Sequence, residues 1–192
     1  PFSDGAVGLV SEPSLVPDDL ALMARLSGGV LASWAAGYVA GRYKSGVVIP
    51  RPVGWSMVIG CNMAYRRSAL EAAGGFDPAF WPGEEMLAAF RVMRLGFRLM
   101  FHPGAKLYHY PRASLVGFCR QMYGYGATRI RLIRAGVDCE LTTLLPGALV
   151  LLFLGLPLAA IFYKGAVWAL LGFMALYGTA VAAIALLKYF ET

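Results

Sequence analysis

Two adjacent carboxylates directly after a turn signal are the residues best placed for acid–base chemistry. Glu84 and Glu85 follow Pro82-Gly83 and open a segment with the composition of a helix. The aligned peptide dipoles of a helix favour carboxylates in its first turn, and an acid held there can serve as a general base. The same pair can also be a solvated helix start and nothing more, because glutamate is common at that position.

Three short elements are predicted to bring this acid pair into position. A short apolar strand is expected within 60–67, followed by a helix over 68–73 that ends at Gly74-Gly75. The acid pair then begins a longer helix, which is predicted over 84–95 and ends at Gly96.

The remaining pattern in the first part of the chain alternates between strand and helix, which is typical of an α/β fold. Strands are predicted over 5–10, 46–50, 55–59, 97–101 and 106–110. A helix is predicted over 20–43, with Asp18 or Asp19 as its cap. The uncharged core of this helix is shorter than the roughly 20 residues that cross a bilayer. We therefore expect it to pack on the protein core or to lie at the bilayer surface.

The order of these motifs resembles the C-terminal half of the family 2 glycosyltransferases. The resemblance is carried by G-x-N-x-A-x-R-R from Gly60, G-G-F-D from Gly74, G-E-E from Gly83, and by Arg91, Gly96 and the Tyr108-His109 pair. It implies an inverting enzyme of the GT-A type, of which this chain would hold the acceptor-side half. Glu85 would then be the base that deprotonates the acceptor hydroxyl, with Glu84 shaping its surroundings. The family usually has Asp where Glu85 stands, so the side chain here is one methylene longer.

The resemblance also implies which residues would bind substrate. The family segment that corresponds to Asn62 and Arg66 lines the cleft for the donor sugar and the acceptor, and an amide offers both a donor and an acceptor to sugar hydroxyls. Asn62 can equally be a backbone cap. Trp81 would either stack on a sugar ring or belong to the core.

A further motif resembles the family's Q-x-x-R-W. Gln121 and Tyr125 match this motif in kind, whereas Gly124 replaces the arginine that usually contacts the diphosphate. Arg120 or Arg129 would have to supply the missing charge.

The resemblance implies a divalent cation, Mg²⁺ or Mn²⁺, in the full-length enzyme, with His109 near it. His109 can also be a structural residue at a strand end. Hard cations take oxygen ligands, and the chain contains no D-x-D motif, which the family places in its nucleotide-binding half. The chain also begins at Pro1 in the middle of a pattern. We therefore expect a fragment that is inactive by itself.

A basic amphipathic helix is predicted over 113–135. Its apolar arc consists of Leu115, Phe118, Cys119, Met122, Tyr125, Leu132 and Ile133, and its basic arc consists of Arg120, Arg131 and Arg134. This pattern is typical of a helix at the surface of an anionic membrane. Arg129 departs from the pattern because it lies within the apolar arc. Either Gly124 and Gly126 interrupt the helix, or Arg129 faces a bound anion.

The positive charge of the chain is concentrated in one segment. The net charge is +6, and between Met86 and Val137 there are nine Arg or Lys and no Asp or Glu. Such a segment favours an anionic partner: lipid head groups, a sugar-nucleotide diphosphate or nucleic acid. We do not expect nucleic acid, because the arginines share a helix with apolar residues and no recognised binding motif accompanies them. The three cysteines show no metal-type spacing and indicate reduced thiols.

The last third of the chain accounts for the high mean hydropathy of +0.61. The segments 141–163 and 166–187 are each long enough to cross a bilayer. Lys164-Gly165 would form the turn of an antiparallel hairpin, and Pro146 and Pro157 would kink its first helix. Five arginines between Arg112 and Arg134 place both chain ends in the cytoplasm by the positive-inside rule.

The sequence thus predicts three parts. They are the end of a glycosyltransferase catalytic domain over 1–111, a basic interface helix with its linker over 112–140, and a transmembrane hairpin over 141–192. The predicted function is transfer of a sugar from a nucleotide-sugar donor to a lipid-linked or polysaccharide acceptor in cell-envelope or exopolysaccharide synthesis, at a bacterial-type inner membrane that the chain crosses more than once. Two alternatives stay open: a non-catalytic membrane-docking module, and a small membrane-protein subunit.

Overall fold

The computed structural model describes residues 2–33, 40, 43, 49–58, 60–104, 106–138 and 141–191. The chain divides into two compact units, Pro1–Asp138 and Cys139–Thr192. The predicted interface helix therefore belongs to the same compact unit as the predicted catalytic part.

A mixed four-stranded sheet forms the centre of the first unit. Its strands are β1 (Val7–Ser11), β3 (Arg51–Pro52), β4 (Met63–Tyr65) and β5 (Arg98–Phe101), in the order β3-β5-β1-β4. The central strand β1 pairs parallel with β5 and antiparallel with β4, and β3 pairs antiparallel with β5. All five residues of β1 are buried, as expected for an apolar run in the middle of a covered sheet.

A second, two-stranded sheet lies beside the first. It pairs β2 (Ser14–Leu15) parallel with β6 (Leu107–Tyr108), and the pairing is extended by a hydrogen bond of 2.8 Å from the His109 amide to the Leu15 carbonyl. This short sheet fixes the position of His109 relative to Ser14.

The helix that carries the acid pair covers the central sheet. This helix, α3 (Glu84–Arg94), follows Gly83 and buries Met86, Leu87, Ala88, Ala89, Phe90 and Val92. It ends before Gly96, whose φ of +90° favours glycine. The shorter helix α2 (Arg67–Ala72) ends before Gly74 and Gly75, which also have positive φ. The sequence predictions for both helices and for their glycine ends are confirmed.

Several predictions in the first 60 residues are wrong or fall on residues outside those described. Trp55–Met57 is a 3₁₀ helix and not part of a strand, because its amides bond back along the chain, as from Met57 to the Gly54 carbonyl. Helix α1 (Leu22–Ala32) follows Ala21 and is capped by neither Asp18 nor Asp19. It ends at Ser33, whose backbone is extended and whose hydroxyl bonds to the Val30 carbonyl. Ile49 and Pro50, the end of the predicted strand 46–50, are not in a strand, which begins at Arg51. The rest of that predicted strand and most of the predicted helix beyond Ser33 lie outside the described residues.

The basic helix is uninterrupted. Helix α4 (Leu115–Arg134) runs continuously through Gly124 and Gly126, so the predicted break is absent. The prediction of a lipid-facing apolar arc is wrong for several of its members. Leu132 is buried in the main core, and Phe118 and Met122 pack against a cluster of Leu31 and Tyr43. Residues of that arc therefore contact protein, because the first unit offers them an apolar surface.

The second unit contains two long apolar helices, α5 (Leu145–Phe162) and α6 (Lys164–Glu191). Both are long and apolar enough to cross a membrane, and Phe153 of α5 contacts Phe173 and Tyr177 of α6 edge-to-face at 5.1 Å between ring centroids. The chain turns at Tyr163, which is extended, so the predicted turn is displaced by one residue. Pro146 lies in the first turn of α5, where no amide hydrogen bond is lost, and only Pro157 lies inside the helix.

Candidate functional site

Most of the predicted site residues line one cavity of about 830 Å³ in the first unit. This volume is in the range of small-molecule binding sites. The predicted residues in its lining are Trp81, Glu84, Glu85, His109, Arg120, Gln121, Tyr125 and Arg129. They come from the loop before α3, the start of α3, the end of β6 and one side of α4.

Glu84 and Glu85 have different surroundings although they are neighbours. The Glu84 carboxylate accepts a hydrogen bond of 3.0 Å from the Gly83 amide and so closes the turn before the helix. The Glu85 carboxylate lies beside Gly60, since a β-carbon on Gly60 would be 3.5 Å from the Glu85 Cδ atom. Glu85 is therefore the acid next to the part of the cavity lining that Gly60 and Cys61 form.

A tyrosine ties the start of α3 to the central sheet. The Tyr65 hydroxyl of β4 donates a hydrogen bond of 2.9 Å to the Glu85 backbone carbonyl. Burial raises the pKa of Tyr65 well above its ordinary value, and the charges of Glu85 and Glu84 raise it further. The phenol therefore stays protonated and remains a donor, which holds the first turn of α3 in place.

Helix α4 is hydrogen-bonded to the loop that precedes the acid pair. The Thr128 hydroxyl donates to the Pro82 carbonyl. Arg131 donates to the Trp81 carbonyl at 3.1 Å, to the Ala79 carbonyl at 3.4 Å and to the Thr128 hydroxyl at 3.1 Å. Arg131 of the predicted basic arc is partly exposed, and its guanidinium is hydrogen-bonded to this loop. The roles of Thr128 and Arg131 were not predicted from the sequence, because no local signal marks contacts about fifty residues apart.

Arg129 is a buried cation at the wall of the cavity. Its side chain is largely buried, and its guanidinium carbon lies 5.0 Å from the centroid of the Trp55 ring. Trp55 in turn contacts Phe90 edge-to-face at 6.1 Å between ring centroids. A planar guanidinium held against an aromatic ring keeps its charge and its fork of donors. Of the two alternatives for Arg129, an interrupted helix is excluded because α4 is continuous. The other alternative, that Arg129 faces a bound anion, stays a prediction, and Arg129 lines the cavity that could hold one.

The two residues that match the family motif on α4 interact with each other. The Gln121 amide donates a hydrogen bond of 3.0 Å to the Tyr125 hydroxyl one turn later. The Gln121 carbonyl oxygen is buried and has no hydrogen-bond partner among the described residues. A buried amide oxygen of this kind can accept a hydrogen bond from a ligand hydroxyl. Gly124, between them in sequence, lies against Pro82, because a β-carbon on Gly124 would be 3.8 Å from the proline ring.

His109 and Cys61 line the cavity together, and the Cys61 sulfur lies 3.3 Å from the Ser14 hydroxyl. The interaction with Cys61 raises the pKa of His109 despite an opposing effect of burial. Burial raises the pKa of the Cys61 thiol, but the interactions with His109 and Ser14 outweigh it and its pKa lies below the ordinary value. This pairing has no counterpart among the sequence predictions.

The residues present do not form a metal site by themselves. Within the part of the chain that the structure describes, no three His, Cys, Asp or Glu side chains lie close enough together to hold a metal ion. His109 has Cys61 as its partner instead. We therefore assign no metal ligand among these residues.

Two predicted binding residues lie away from the cavity. The Asn62 amide donates to the Pro13 carbonyl at 2.9 Å. The Arg66 guanidinium donates to the backbone carbonyls of Val7, Phe2 and Asp4 at 2.8–2.9 Å, and it lies over the Phe2 ring. Through these bonds both side chains connect the segment around β4 to the first residues of the chain. Their substrate-binding role stays a prediction.

Comparison with known proteins agrees with the resemblance seen in the motifs. The family model described as "Glycosyl transferase family group 2" matches residues 6–186. A curated relative, the succinoglycan biosynthesis protein ExoA of Rhizobium meliloti (strain 1021), is 32% identical over 72 residues, which are 38% of this chain and 22% of the relative. The aligned part thus spans about a fifth of that relative. No solved structure matches this chain.

Proposed function

Because this chain belongs to glycosyl transferase family group 2, we propose that its cavity is the acceptor-side part of a glycosyltransferase active site. The observation that carries the proposal is the Glu85 carboxylate at the start of α3, beside Gly60 and in the same cavity as His109 and Arg129. The donor is a nucleotide-activated sugar, and the acceptor is a growing glycan or a lipid-linked sugar. The name of the curated relative, a succinoglycan biosynthesis protein, supports a polysaccharide product.

In the proposed reaction Glu85 takes the proton of an acceptor hydroxyl. The acceptor oxygen attacks the anomeric carbon of the donor sugar, and the bond from that carbon to the diphosphate oxygen breaks on the opposite side. The configuration at the anomeric carbon is thereby inverted. A base fixed at a helix start is suited to this step, because its position relative to the acceptor is set by backbone contacts. The Tyr65 bond to the Glu85 carbonyl is one such contact.

Arginines at the cavity would stabilise the charge that grows on the leaving diphosphate. Arg129 is buried against Trp55, and Arg120 is exposed at the cavity lining. A buried cation acts in a low dielectric and needs little reorganisation during the reaction. We assign Arg129 the role that the missing arginine at Gly124 has in the family motif, because Arg129 follows Gly124 on the same helix and reaches the same cavity.

The polar and aromatic lining would orient the sugars. The buried Gln121 carbonyl oxygen accepts from a sugar hydroxyl, and its amide stays bonded to Tyr125. Trp81 is 72% exposed at the cavity lining, where its ring can cover the C–H face of a pyranose. Asn62 and Arg66 are not needed for this arrangement.

A divalent cation would neutralise charge on the diphosphate. The described residues do not form a site for it, so we derive no step through a metal ion. We propose that any ligands for it, and the nucleotide-binding half of a GT-A fold, come from residues outside those described. On the same reasoning, these 192 residues alone would not transfer sugar.

We further propose that the two apolar helices anchor the site at the cytoplasmic face of a membrane. Both helices have the length and composition of membrane spans. The excess of arginine in α4 and the segment before it favours the cytoplasmic side and contact with anionic lipids. A lipid-linked acceptor would then be available on the same side of the membrane as the first unit.

The test compares Glu85→Gln with Glu84→Gln in the full-length protein in native membranes. Transfer is measured from a panel of radiolabelled nucleoside-diphosphate sugars to membrane and polysaccharide fractions. We expect Glu85→Gln to lose about 10²–10⁴-fold in turnover, the usual contribution of a general base. Glu84→Gln keeps a carbonyl oxygen for the Gly83 amide and should retain most activity. Glu85→Asp should also remain active, because the carboxylate is kept.

Wild-type turnover in Glu85→Gln would reject the assignment of the base. A protein that binds membranes but transfers no sugar from any donor in its wild-type form would instead support the membrane-docking alternative.

A further inference from the structure

Cys61 stands in the wall of the cavity with two polar partners. Its thiol is exposed, and it lines the cavity together with Gly60 and Glu85. Its sulfur lies 3.3 Å from the Ser14 hydroxyl, and the His109 side chain lines the same cavity and interacts electrostatically with the thiol. None of these three side chains has a part in the transfer step proposed above.

The three partners come from separate parts of the chain and are held by backbone structure. Ser14 is fully buried in β2, and His109 directly follows β6. The pairing of Ser14 with Leu107 and the bond from the His109 amide to the Leu15 carbonyl set their positions. Cys61 enters from the turn before β4. The cluster is therefore a fixed arrangement and not a chance approach of surface side chains.

A thiol beside an imidazole in one cavity wall has the arrangement of a nucleophile with its base. The imidazole can take the thiol proton, and the Ser14 hydroxyl can donate to the sulfur that results. The lowered pKa of Cys61 and the raised pKa of His109 agree with this arrangement. Reactive cysteines generally combine such partners with access to solvent, and Cys61 has both.

We propose that Cys61 is a modification site: a nucleophilic thiol that exchanges with small disulfides and carries the resulting mixed disulfide into the cavity beside Glu85. In the step, His109 takes the thiol proton and the Cys61 sulfur attacks one sulfur of the disulfide. The sulfur–sulfur bond of the reagent breaks, a new one forms to Cys61, and the second sulfur leaves as a thiolate that takes up the proton from His109. Cys61 is oxidised and the leaving half of the reagent is reduced, so that no further oxidant is needed.

The adduct would close the site to substrate. Cys61 directly follows Gly60, which lies beside the Glu85 carboxylate, and all three residues line the cavity. A bound group at Cys61 would fill part of a cavity of about 830 Å³ that the donor and acceptor must share. This consequence rests on the proposed function, whereas the modification itself does not.

The first experiment measures modification without any assay of activity. The full-length protein is treated with glutathione disulfide, and peptide mass mapping follows the adduct at each of its cysteines over time. Cys119 is the internal control, because it is an exposed free thiol on α4 and lies outside the cluster of Ser14 and His109. We expect Cys61 to react about tenfold or more faster than Cys119, as thiolate fraction and access govern exchange rates.

His109→Gln and Ser14→Ala test the role of the partners. Both should slow the reaction of Cys61, His109→Gln to about the rate of Cys119, while the rate at Cys119 stays unchanged. An unchanged melting temperature of each variant shows that the fold is kept. Equal rates at Cys61 and Cys119 in the wild type would overturn the proposal. So would a rate at Cys61 that is unaffected by both substitutions.

The second experiment links modification to the site. Wild-type protein that carries the adduct should lose sugar transfer and regain it on reduction, and Cys61→Ser should be insensitive to the disulfide. If Glu85→Gln proves the proposed function wrong, the labelling rates still decide the modification site. Rapid labelling of Cys61 without any loss of transfer would reject the closure of the cavity.

Discussion

The methyl carbon of Thr128 occupies the space that a β-carbon on Gly83 would need. Gly83 has a φ of +122°, a region that favours glycine. The two residues lie far apart in sequence, on α4 and on the loop before α3. Their close approach allows the Thr128 hydroxyl to bond to the Pro82 carbonyl, and it sets the distance between the arginine-bearing helix and the acid-bearing helix.

We expect Gly83→Ala to destabilise the first unit by about 2–4 kcal/mol, from backbone strain and from overpacking against Thr128. Thermal unfolding of the full-length protein in detergent would measure the change. The control is Gly126→Ala on α4, where no atom lies within 4 Å of the new β-carbon and alanine favours the helix. Adding Thr128→Ser to Gly83→Ala removes the clashing methyl and should recover part of the loss. Equal melting temperatures for Gly83→Ala and Gly126→Ala would contradict the fit described here.

Arg129→Lys should lower both stability and donor affinity. The flexible ammonium cannot stack on Trp55 as the guanidinium does at 5.0 Å, and the loss of a desolvated cation–π contact costs about 1–2 kcal/mol. Under the proposed function, KM for the donor rises as well. The matched control is Arg120→Lys, which changes an exposed side chain at the same cavity. A melting temperature for Arg129→Lys no lower than that of Arg120→Lys would argue against the stacking role.

Trp81→Ala should weaken acceptor binding without unfolding the protein. Trp81 is 72% exposed at the cavity, whereas Tyr108 is 66% exposed and does not line it. The two changes remove similar exposed aromatic surface, so Tyr108→Ala is the control. We expect KM for the acceptor to rise roughly two- to tenfold for Trp81→Ala and to stay unchanged for Tyr108→Ala. Equal changes in KM for the acceptor in the two variants would show that Trp81 does not bind the acceptor.

Glu12 is expected to make stability depend on pH. Burial raises the pKa of this carboxyl, and the charge of His102 opposes the shift. A pKa that is raised on folding means that the folded state holds the proton more tightly than the unfolded state. Ionisation of Glu12 therefore lowers the stability of the fold at neutral pH. This loss of stability vanishes as the pH falls through the range in which carboxyls become protonated. Glu12→Gln should therefore raise the melting temperature at neutral pH.

The gain from Glu12→Gln should shrink towards zero at about pH 4, where the wild-type carboxyl is protonated as well. Glu71→Gln is the control, since Glu71 is exposed and pairs only at the surface with Arg67. A gain for Glu12→Gln that stays the same at both pH values would show that burial of the charge is not its cause.

The parts of the fold that were predictable carry their own local signals. Helix α3 begins after Pro82-Gly83 and ends before Gly96, as expected from the turn residues and the apolar spacing. The two apolar helices follow from composition alone. The strand predicted over 55–59 is wrong at Trp55–Met57, because a short apolar run has the same pattern in a strand and in a buried 3₁₀ turn.

The site was predictable where a residue broke a pattern and unpredictable where it depended on long-range contacts. Arg129 was predicted to have a special role because a cation within an apolar arc is unfavourable without a partner. The structure places it against the Trp55 ring. Arg131 gave no such signal, because an arginine on the polar side of a helix has a sufficient explanation in solvent. Its bonds to the loop at Trp81 arise only from the tertiary fold. The pairing of Cys61 with His109 was missed for the same reason.

The parallel pairing of β2 with β6 extends over only two residues. Side chains alternate between the two sides of a strand, so a slip of one residue would exchange His109 for Tyr108 or Tyr110. A phenol would then stand next to Cys61 in place of an imidazole. Loop grafting or deletion between Phe101 and Leu107 thus has to preserve the count of residues, since an error of one would abolish the thiol's proton acceptor and leave the surrounding architecture almost unaltered.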